Sequence, residues 1–265
     1  MPELAEVETV RRTLKKQILH KRINNIKIIY PKMIENDIDF FKNNLINDEF
    51  IDINRKGKYL IFETNHFYMI SHLRMEGKYF IKSENEEIDK HEHIIFYFDD
   101  FTLRYHDTRK FGRMKLISKD SLDDYFKDLG KDANSDINID SFYNIISKKN
   151  IPLKTLLLDQ SIIAGLGNIY VDEVLYHAKL MPNRLGSSIT KEDAKNILEA
   201  SKKVLDKAIE CKGTTIRSYT SSLGVYGEYQ DHLCVHTKEK CKCGQTIIKT
   251  RIGGRGTYYC PNCQK

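Results

Sequence analysis

The chain opens with Met1-Pro2-Glu3-Leu4-Ala5-Glu6-Val7-Glu8-Thr9-Val10-Arg11-Arg12, a stretch in which apolar residues recur at helical spacing. The pattern predicts an amphipathic helix from Glu3 to about His20. Pro2 would take the first helical position, where proline is tolerated. The predicted apolar face consists of Leu4, Val7, Val10, Leu14 and Ile18. The start of the chain is therefore expected to pack against a core.

The second residue of the chain, Pro2, could act as a nucleophile. A small residue follows Met1, so Met1 is expected to be removed, leaving the secondary amine of Pro2 as the new terminus. An α-amino group is less basic than a lysine, and a nearby helix N-terminus lowers its basicity further. Such an amine can attack an electrophilic sugar carbon and form an iminium, with Glu3 and Glu6 close enough to transfer protons. For an arbitrary protein, a simple helix start is the better interpretation.

Composition limits the class of protein. The chain has 265 residues, 43 Lys and Arg against 37 Asp and Glu, a net charge of +6 and a pI near 8.8, which permits a polyanionic partner. No apolar run reaches the length of a membrane span and no leader precedes a cleavage site, so we expect a soluble cytoplasmic protein without a membrane partner. Five of the six cysteines follow residue 230, which favours a local metal site over a disulfide framework.

The first half of the chain is rich in short strands. Asn65-His66 and Asp99-Asp100 have the composition of hairpin turns, and the period-two alternation around them predicts an antiparallel sandwich of eight strands. The predicted strands are Ile23 to Tyr30, Phe50 to Asn54, Tyr59 to Glu63, Phe67 to His72, Lys78 to Lys82, His93 to Phe98, Thr102 to His106 and Met114 to Ile117.

The second half is helical. Thr190 with Asp193 predicts a capping box at the start of the longest helix. The predicted helices are Ser141 to Lys148, Pro152 to Gln160, Asn168 to Lys179 and Lys191 to Cys211. The expected α+β organisation is an N-terminal helix and β-sandwich in residues 1–130, a linker in 131–140, a helical domain in 141–230 and a zinc ribbon in 231–265.

The C-terminal cysteines have the spacing of a metal site. Cys241-Lys242-Cys243 and Cys260-Pro261-Asn262-Cys263 are separated by sixteen residues, which nearly matches a four-cysteine zinc ribbon. The first pair has one intervening residue instead of two, so Cys234 or His236 remains an alternative ligand. We expect one structural Zn²⁺ per chain.

Three further stretches have a functional and a simpler interpretation. Gly253-Gly254-Arg255 predicts a hairpin tip that is either only a turn or a close approach to phosphate. The Gly165-Leu166-Gly167-Asn168 turn, with Asn168 as N-cap, is either an ordinary interhelical turn or an anion site. The basic turn around Lys58 is in most proteins a solvated loop.

Together these motifs resemble bacterial formamidopyrimidine-DNA glycosylase, the base-excision repair enzyme for 8-oxoguanine and ring-opened purines. The similarity runs from residue 2 to the C-terminus and rests most strongly on the opening P-E-L-x-E-V-E-T-V-R-R. Ala5 replaces a common second proline, the residues around 130–133 lack a proline-containing pattern, and the first cysteine pair is shortened.

The resemblance implies a role for each matching residue. Pro2 would be the nucleophile and Glu3 the acid and base, with Lys58 and Arg255 on phosphates near the lesion. Lys154 and Asn168, in a helix–two-turns–helix element, would hold the DNA backbone. Met75, Arg109 and Phe111 would fill the space left by an extruded base, with the arginine facing the opposite cytosine. The stretch Lys212 to Gly227 would close over that base.

The leading hypothesis is thus a bifunctional DNA glycosylase and abasic-site lyase that removes oxidised purines from duplex DNA through a proline Schiff base and β,δ-elimination. It would be a monomer in the bacterial cytoplasm, associated with the nucleoid through DNA. Two alternatives remain: an endonuclease VIII-type enzyme for oxidised pyrimidines, and a non-catalytic zinc-ribbon DNA-binding protein. The opening motif and the Arg109-x-Phe111 pair favour the purine enzyme.

Overall fold

A computed structural model describes residues 1–214 and 226–265. The chain forms two compact units, the first including residues 1–2 and 6–127 and the second residues 3–5, 128–214 and 228–265. The proposed closing loop, Lys212 to Gly227, lies mostly outside the described residues. No helix in the described part of the chain is both long and apolar enough to cross a bilayer.

The first unit is built on eight antiparallel strands in two four-stranded sheets, ordered β1-β6-β7-β5 and β2-β3-β4-β8. The strands are β1 (Asn25–Ile28), β2 (Asp52–Lys56), β3 (Tyr59–Glu63), β4 (Phe67–His72), β5 (Lys78–Lys82), β6 (Glu92–Tyr97), β7 (Thr102–His106) and β8 (Arg113–Ser118). The helices are α1 (Leu4–Ile18), α2 (Ile38–Asn43) and α3 (Leu122–Tyr125), with 3-10 turns at Pro31–Met33 and Lys119–Ser121.

One apolar core joins both sheets to α1. Val7, Val10, Leu14 and Ile18 of the predicted helix face are buried in the same cluster as strand residues of each sheet. Leu4, the fifth predicted residue, is also buried, but it lies against Gly165 and outside this cluster. Aromatic rings cross between the sheets, for example Phe62 of β3 and Tyr79 of β5, whose ring centroids are 5.6 Å apart. The expected eight-stranded sandwich is confirmed.

Two local features of the first unit differ from expectation. Pro2 does not open the helix, because α1 begins at Leu4 and the Leu4 N–H donates to the carbonyl of Gly165. The short helix α2 was not predicted; Asp37 caps it by accepting the N–H of Phe40. A six-residue segment with a single buried residue has too little periodicity to be recognised.

Glu8, on α1, forms ion pairs with Arg11, Arg12 and Arg55. Burial alone would raise the pKa of Glu8, but hydrogen bonds from Arg11 and Arg12 and the charge of Arg55 lower it to about 2. The ion pairs therefore stabilise the fold fully above the ordinary pKa near 4.5, and this contribution is lost as pH falls through about 2. We expect Glu8→Gln to lower the free energy of unfolding by about 2 kcal/mol at pH 7, after allowing for solvent screening, and by less below pH 4. Urea unfolding at the two pH values measures this difference. An equal cost at both pH values would contradict this account.

The second unit is helical and ends in a β-hairpin. Its helices are α4 (Ile139–Ile146), α5 (Leu153–Leu158), α6 (Asn168–His177) and α7 (Lys191–Glu210), with 3-10 turns at Gly186–Ser188 and Tyr229–His232. The hairpin consists of β9 (Ile248–Ile252) and β10 (Arg255–Tyr259). The capping box of Thr190 and Asp193 at the start of α7 is confirmed.

Candidate active site

The residue next to Pro2 is bound by the start of a distant helix. The Glu3 carboxylate accepts the N–H groups of Gly167 (2.6 Å), Ile169 (3.0 Å) and Tyr170 (3.3 Å) at the N-terminus of α6. Negative charge is stabilised there by unpaired N–H groups and by the helix dipole. The predicted anion position at this turn is thus occupied by the chain's own Glu3, and no sequence signal links residues 164 positions apart.

The two glycines of this turn permit the close approach. A Cβ on Gly167 would lie 2.5 Å from Oε1 of Glu3. Gly165 has a φ of +100°, and a Cβ there would collide with the Leu4 side chain. The Gly165-Leu166-Gly167 stretch therefore fixes the backbone of residues 3 and 4, one peptide bond from Pro2.

Asn168 is not the N-cap that was predicted. The N-cap of α6 is Gly167, without a side-chain capping bond, and Asn168 is the first residue of the helix. The physical reason is that Glu3 already caps the helix, which leaves the Asn168 side chain to donate from Nδ2 to the carbonyl of Gly256, 2.9 Å away. Asn168 therefore connects α6 to strand β10, next to Arg255.

Lys154 is buried below this turn. Its side chain is 0% exposed, and its ammonium donates to Asp172 Oδ1 (2.6 Å) and to the carbonyl of Asn168 (3.0 Å). Burial lowers the pKa of Lys154, Asp172 and Glu3 raise it, and the charge of Arg255 adds to the lowering. Lys154 thus lies within electrostatic range of both Glu3 and Arg255. Its predicted contact with a DNA phosphate stays a prediction.

Arg255 lies at the end of the hairpin turn that the glycines predicted. Gly253 and Gly254 form the turn with φ values of +55° and +76°, a backbone region that favours glycine. Arg255 begins β10 and is exposed. The second unit therefore brings Glu3, Lys154, Asn168 and Arg255 together from four separate stretches of sequence.

Lys58 of the first unit lies in the β2–β3 turn, and the loops that follow β4 and β7 carry Met75, Arg109 and Phe111. Gly57 and Lys58 form the β2–β3 turn, and Gly57 has a φ of +56°. Only 5% of Lys58 is exposed, so this turn is not the solvated loop that is usual for a basic turn. Burial lowers the pKa of His72 to about 3, and Arg74 and Lys58 add to this effect. The neutral His72 ring accepts the N–H of Arg74, which has a φ of +53°, immediately before Met75.

Met75 and Phe111 are exposed at 36% and 47%, on two neighbouring loops. The Arg109 guanidinium lies over the Phe111 ring, 4.7 Å from its centroid, in a cation–π contact. Thr108 donates to Glu76 at 2.9 Å, which connects the loops. Exposed apolar and cationic side chains at loop tips are suited to insertion between bases.

Tyr105 and Asp107 hold these loops and were not identified from sequence. The buried hydroxyl of Tyr105 lies against both Gly77 and Gly112, at positions that a Cβ on either glycine would overlap. The buried Asp107 carboxylate accepts the N–H groups of Arg109 (2.9 Å), Phe111 (2.9 Å) and Gly112 (2.8 Å).

Replacing Asp107 is expected to loosen the loop that carries Arg109 and Phe111. In Asp107→Asn one oxygen becomes an amide donor facing N–H groups, so we expect a loss of about 1 to 3 kcal/mol in unfolding free energy. Thermal and urea unfolding measure this loss. Asp100→Asn, at the exposed β6–β7 turn, is the matched control, and equal behaviour of the two variants would contradict the assignment.

The four predicted cysteines converge. Cys241 and Cys263 have Sγ atoms 3.8 Å apart, Cys243 and Cys260 have theirs 3.6 Å apart, and all four lie within 4.8 Å of one another. Four thiolates around a tetrahedral zinc ion at about 2.3 Å would be separated by about 3.8 Å, so the site fits zinc. Gly244, with a φ of +88°, accommodates the shortened Cys241-x-Cys243 pair.

The alternative ligands, Cys234 and His236, lie outside this cluster, and the His236 ring contacts a carboxylate. His236 Nδ1 is 2.7 Å from Asp172 Oδ2, and the backbone N–H of Cys234 donates to Glu173 Oε2 at 2.8 Å. Neither residue belongs to the four-cysteine cluster. The set Cys241, Cys243, Cys260 and Cys263 is therefore the one whose geometry fits the structural zinc.

Three family models match: the formamidopyrimidine-DNA glycosylase N-terminal domain over residues 1–114, the formamidopyrimidine-DNA glycosylase H2TH domain over residues 129–220, and a zinc finger found in FPG and IleRS over residues 238–265. The chain belongs to the formamidopyrimidine-DNA glycosylase family.

Members of this family match the chain from end to end. Formamidopyrimidine-DNA glycosylase of Streptococcus pneumoniae is 46% identical, with 100% of this chain and 99% of the relative covered, and that of Listeria monocytogenes is 41% identical with full coverage of both. A Lactococcus lactis FPG mutant in complex with Fapy-dG DNA superimposes with a TM-score of 0.96 at 41% identity, with both chains fully covered. Wild-type Lactococcus lactis Fpg with N7-benzyl-Fapy-dG DNA gives 0.95 at 41% identity, again over 100% of each chain.

Removal of the structural zinc is expected to weaken DNA binding. Without the metal the residues on both sides of the β9–β10 hairpin lose their common anchor, so Arg255 loses its fixed position. We expect at least about a tenfold loss of affinity for duplex DNA, measured by fluorescence anisotropy after chelation, and recovery when Zn²⁺ is returned. Unchanged affinity in protein shown by metal analysis to be zinc-free would contradict this expectation.

Proposed function

We propose that this protein is a base-excision repair DNA glycosylase and abasic-site lyase that removes oxidised purines, 8-oxoguanine and formamidopyrimidines, from duplex DNA. The observation that carries the proposal is the convergence of Glu3 on the N-terminus of α6, because it fixes the residue after Pro2 beside Lys154, Asn168 and Arg255. The family relatives carry the same enzyme name, and the Lactococcus lactis protein was crystallised with Fapy-dG DNA.

The proposed reaction begins after Met1 has been removed. The Pro2 nitrogen attacks C1′ of the damaged nucleotide, the bond from C1′ to the base breaks, and the base leaves with a proton from solvent. The Pro2 nitrogen loses its own proton to the Glu3 carboxylate. Glu3 protonates the ring oxygen, so the sugar opens and an iminium forms between Pro2 and C1′. Loss of a C2′ proton expels the 3′ phosphate, a second elimination expels the 5′ phosphate, and hydrolysis frees the enzyme.

The other residues act by binding and positioning. Lys58 and Arg255 meet phosphates near the lesion, and Met75, Arg109 and Phe111 fill the space that the extruded base vacates. Lys154 and Asn168 hold the DNA backbone. Within the chain, Asn168 also bonds to Gly256, and Lys154 bonds to the carbonyl of Asn168 and to Asp172, so both residues position the Arg255 hairpin and the start of α6. The division into residues 1–130, 131–140, 141–230 and 231–265 belongs to the same proposal.

The proposal implies a place of action. A duplex DNA substrate assigns a bacterial enzyme of this kind to the cytoplasm, at the nucleoid. The structural zinc takes no part in the reaction, because an amine nucleophile and a carboxylate supply all the required proton and electron-pair movements.

Borohydride trapping tests the proposal. The protein is mixed with a duplex containing one 8-oxoguanine opposite cytosine, reduced, and digested for peptide mapping. We expect a covalent adduct at Pro2 and a much weaker one with a duplex that contains an oxidised pyrimidine. Tight binding without an adduct, in protein shown by mass to lack Met1, would support the non-catalytic alternative, and preferential trapping on the pyrimidine duplex would support the endonuclease VIII-type enzyme.

A further inference from the structure

A second group of potential metal ligands lies outside the four-cysteine cluster. Glu173 and His177 are four residues apart on α6 and so lie on the same helix face, and Cys234 is opposite them, just after the 3-10 turn Tyr229–His232. The Cys234 Sγ is 3.9 Å from Nε2 of His177, and one ligand atom from each of the three residues lies within 4.8 Å of the others.

Glu173 holds the cysteine in position. Its carboxylate accepts the backbone N–H groups of Cys234 (2.8 Å), Val235 (3.0 Å) and His236 (2.8 Å). Oε2 accepts only one of these bonds. The thiol of Cys234 also donates to this carboxylate, and a cation would take the place of that thiol proton. Glu173 and Cys234 are buried, whereas His177 is exposed, which leaves the group open to solvent on one side.

We propose that Glu173, His177 and Cys234 form a second, reversible binding site for a divalent transition-metal ion, with Zn²⁺ as the preferred ion. A thiolate and an imidazole exclude Mg²⁺ and Ca²⁺, which require oxygen ligands. A tetrahedral zinc ion separates sulfur and nitrogen ligands by about 3.5 Å, so the exposed His177 ring has only a few tenths of an ångström to move. Water completes the coordination.

Binding of the ion at this site releases one proton. The Cys234 thiol releases its proton to solvent as the Zn²⁺–sulfur bond forms, and no electron is transferred. The ion would join α6 to the segment that leads into the zinc ribbon. It would therefore stabilise the second unit by an amount that rises with the logarithm of its free concentration once that concentration exceeds the dissociation constant. This site does not depend on the proposed glycosylase reaction.

Metal stoichiometry and cobalt absorption test the proposal. We expect full-length protein dialysed against a small excess of Zn²⁺ to hold two zinc ions per chain, and Cys234→Ser and His177→Ala to hold one. Protein carrying one zinc, titrated with Co²⁺, should show a thiolate-to-cobalt band with one equivalent of cobalt. The band should vanish in Cys234→Ser and require at least about ten times more cobalt in His177→Ala.

Cys211→Ser is the matched control, because Cys211 is the other thiol outside the four-cysteine cluster among the described residues. It should keep both the second ion and the cobalt band. The retained structural zinc reports that each variant is folded, and His177→Ala changes only an exposed side chain. A single zinc ion in the wild type without a cobalt band, or a band that persists in Cys234→Ser, would overturn the assignment.

Discussion

A chain extended by a few residues ahead of Pro2 is expected to lose DNA strand cleavage and borohydride trapping by at least about a thousandfold, while affinity for the damaged duplex is retained. The extension converts the secondary amine of Pro2 into an amide. An amide nitrogen has no available lone pair and cannot form an iminium. DNA binding should persist because the expected phosphate contacts come from other residues, among them Lys58 and Arg255.

The best control is the same protein with a protease site placed directly before Pro2. Cleavage at that site exposes Pro2 and should restore activity, which separates loss of the amine from damage to the fold. Strand cleavage at the wild-type rate by the uncleaved protein, with its mass verified, would rule out Pro2 as the nucleophile.

Replacing Glu3 by glutamine is expected to slow base excision by about a hundredfold or more. The change removes the proton donor while leaving one oxygen that can still accept an N–H from α6. Glu3→Ala removes all three hydrogen bonds to residues 167, 169 and 170, and should in addition cost about 1 to 2 kcal/mol in unfolding free energy. Single-turnover excision and urea unfolding measure the two effects separately.

Asn138→Ala is a suitable control for the second effect. Asn138 caps α4 by accepting the N–H of Ser141, so its loss should cost a similar free energy without changing excision. If Glu3→Gln excised the base as fast as the wild type, Glu3 would be only a cap for α6.

Much of the fold could be predicted because local pattern and tertiary structure agree. Strands β3, β4, β5 and β7 have the predicted bounds, since short runs rich in apolar and aromatic residues mark each strand. The turns at Asn65-His66 and Asp99-Asp100 separate β3 from β4 and β6 from β7. The zinc site could also be predicted from sequence, because four clustered cysteines in a chain of this kind most often bind a metal ion.

The details of the candidate site could not be predicted, because they depend on contacts between residues distant in sequence. Nothing near Asn168 indicates that Glu3 takes its place as the cap of α6. Nothing near Lys154 indicates that its ammonium group is buried and forms an ion pair with Asp172. A lysine in an exposed loop and a lysine under a helix turn have the same appearance in sequence.

The packing of Tyr105 between Gly77 and Gly112 has a consequence for how such an enzyme can diversify. Even a methyl group at either glycine would displace the hydroxyl, so both positions should accept no substitution in a saturation library. Met75 and Phe111, two residues and one residue away, are exposed and should accept many. Natural selection can therefore change the loop tips that are proposed to meet the stacked bases, while the residues that anchor each loop are held constant.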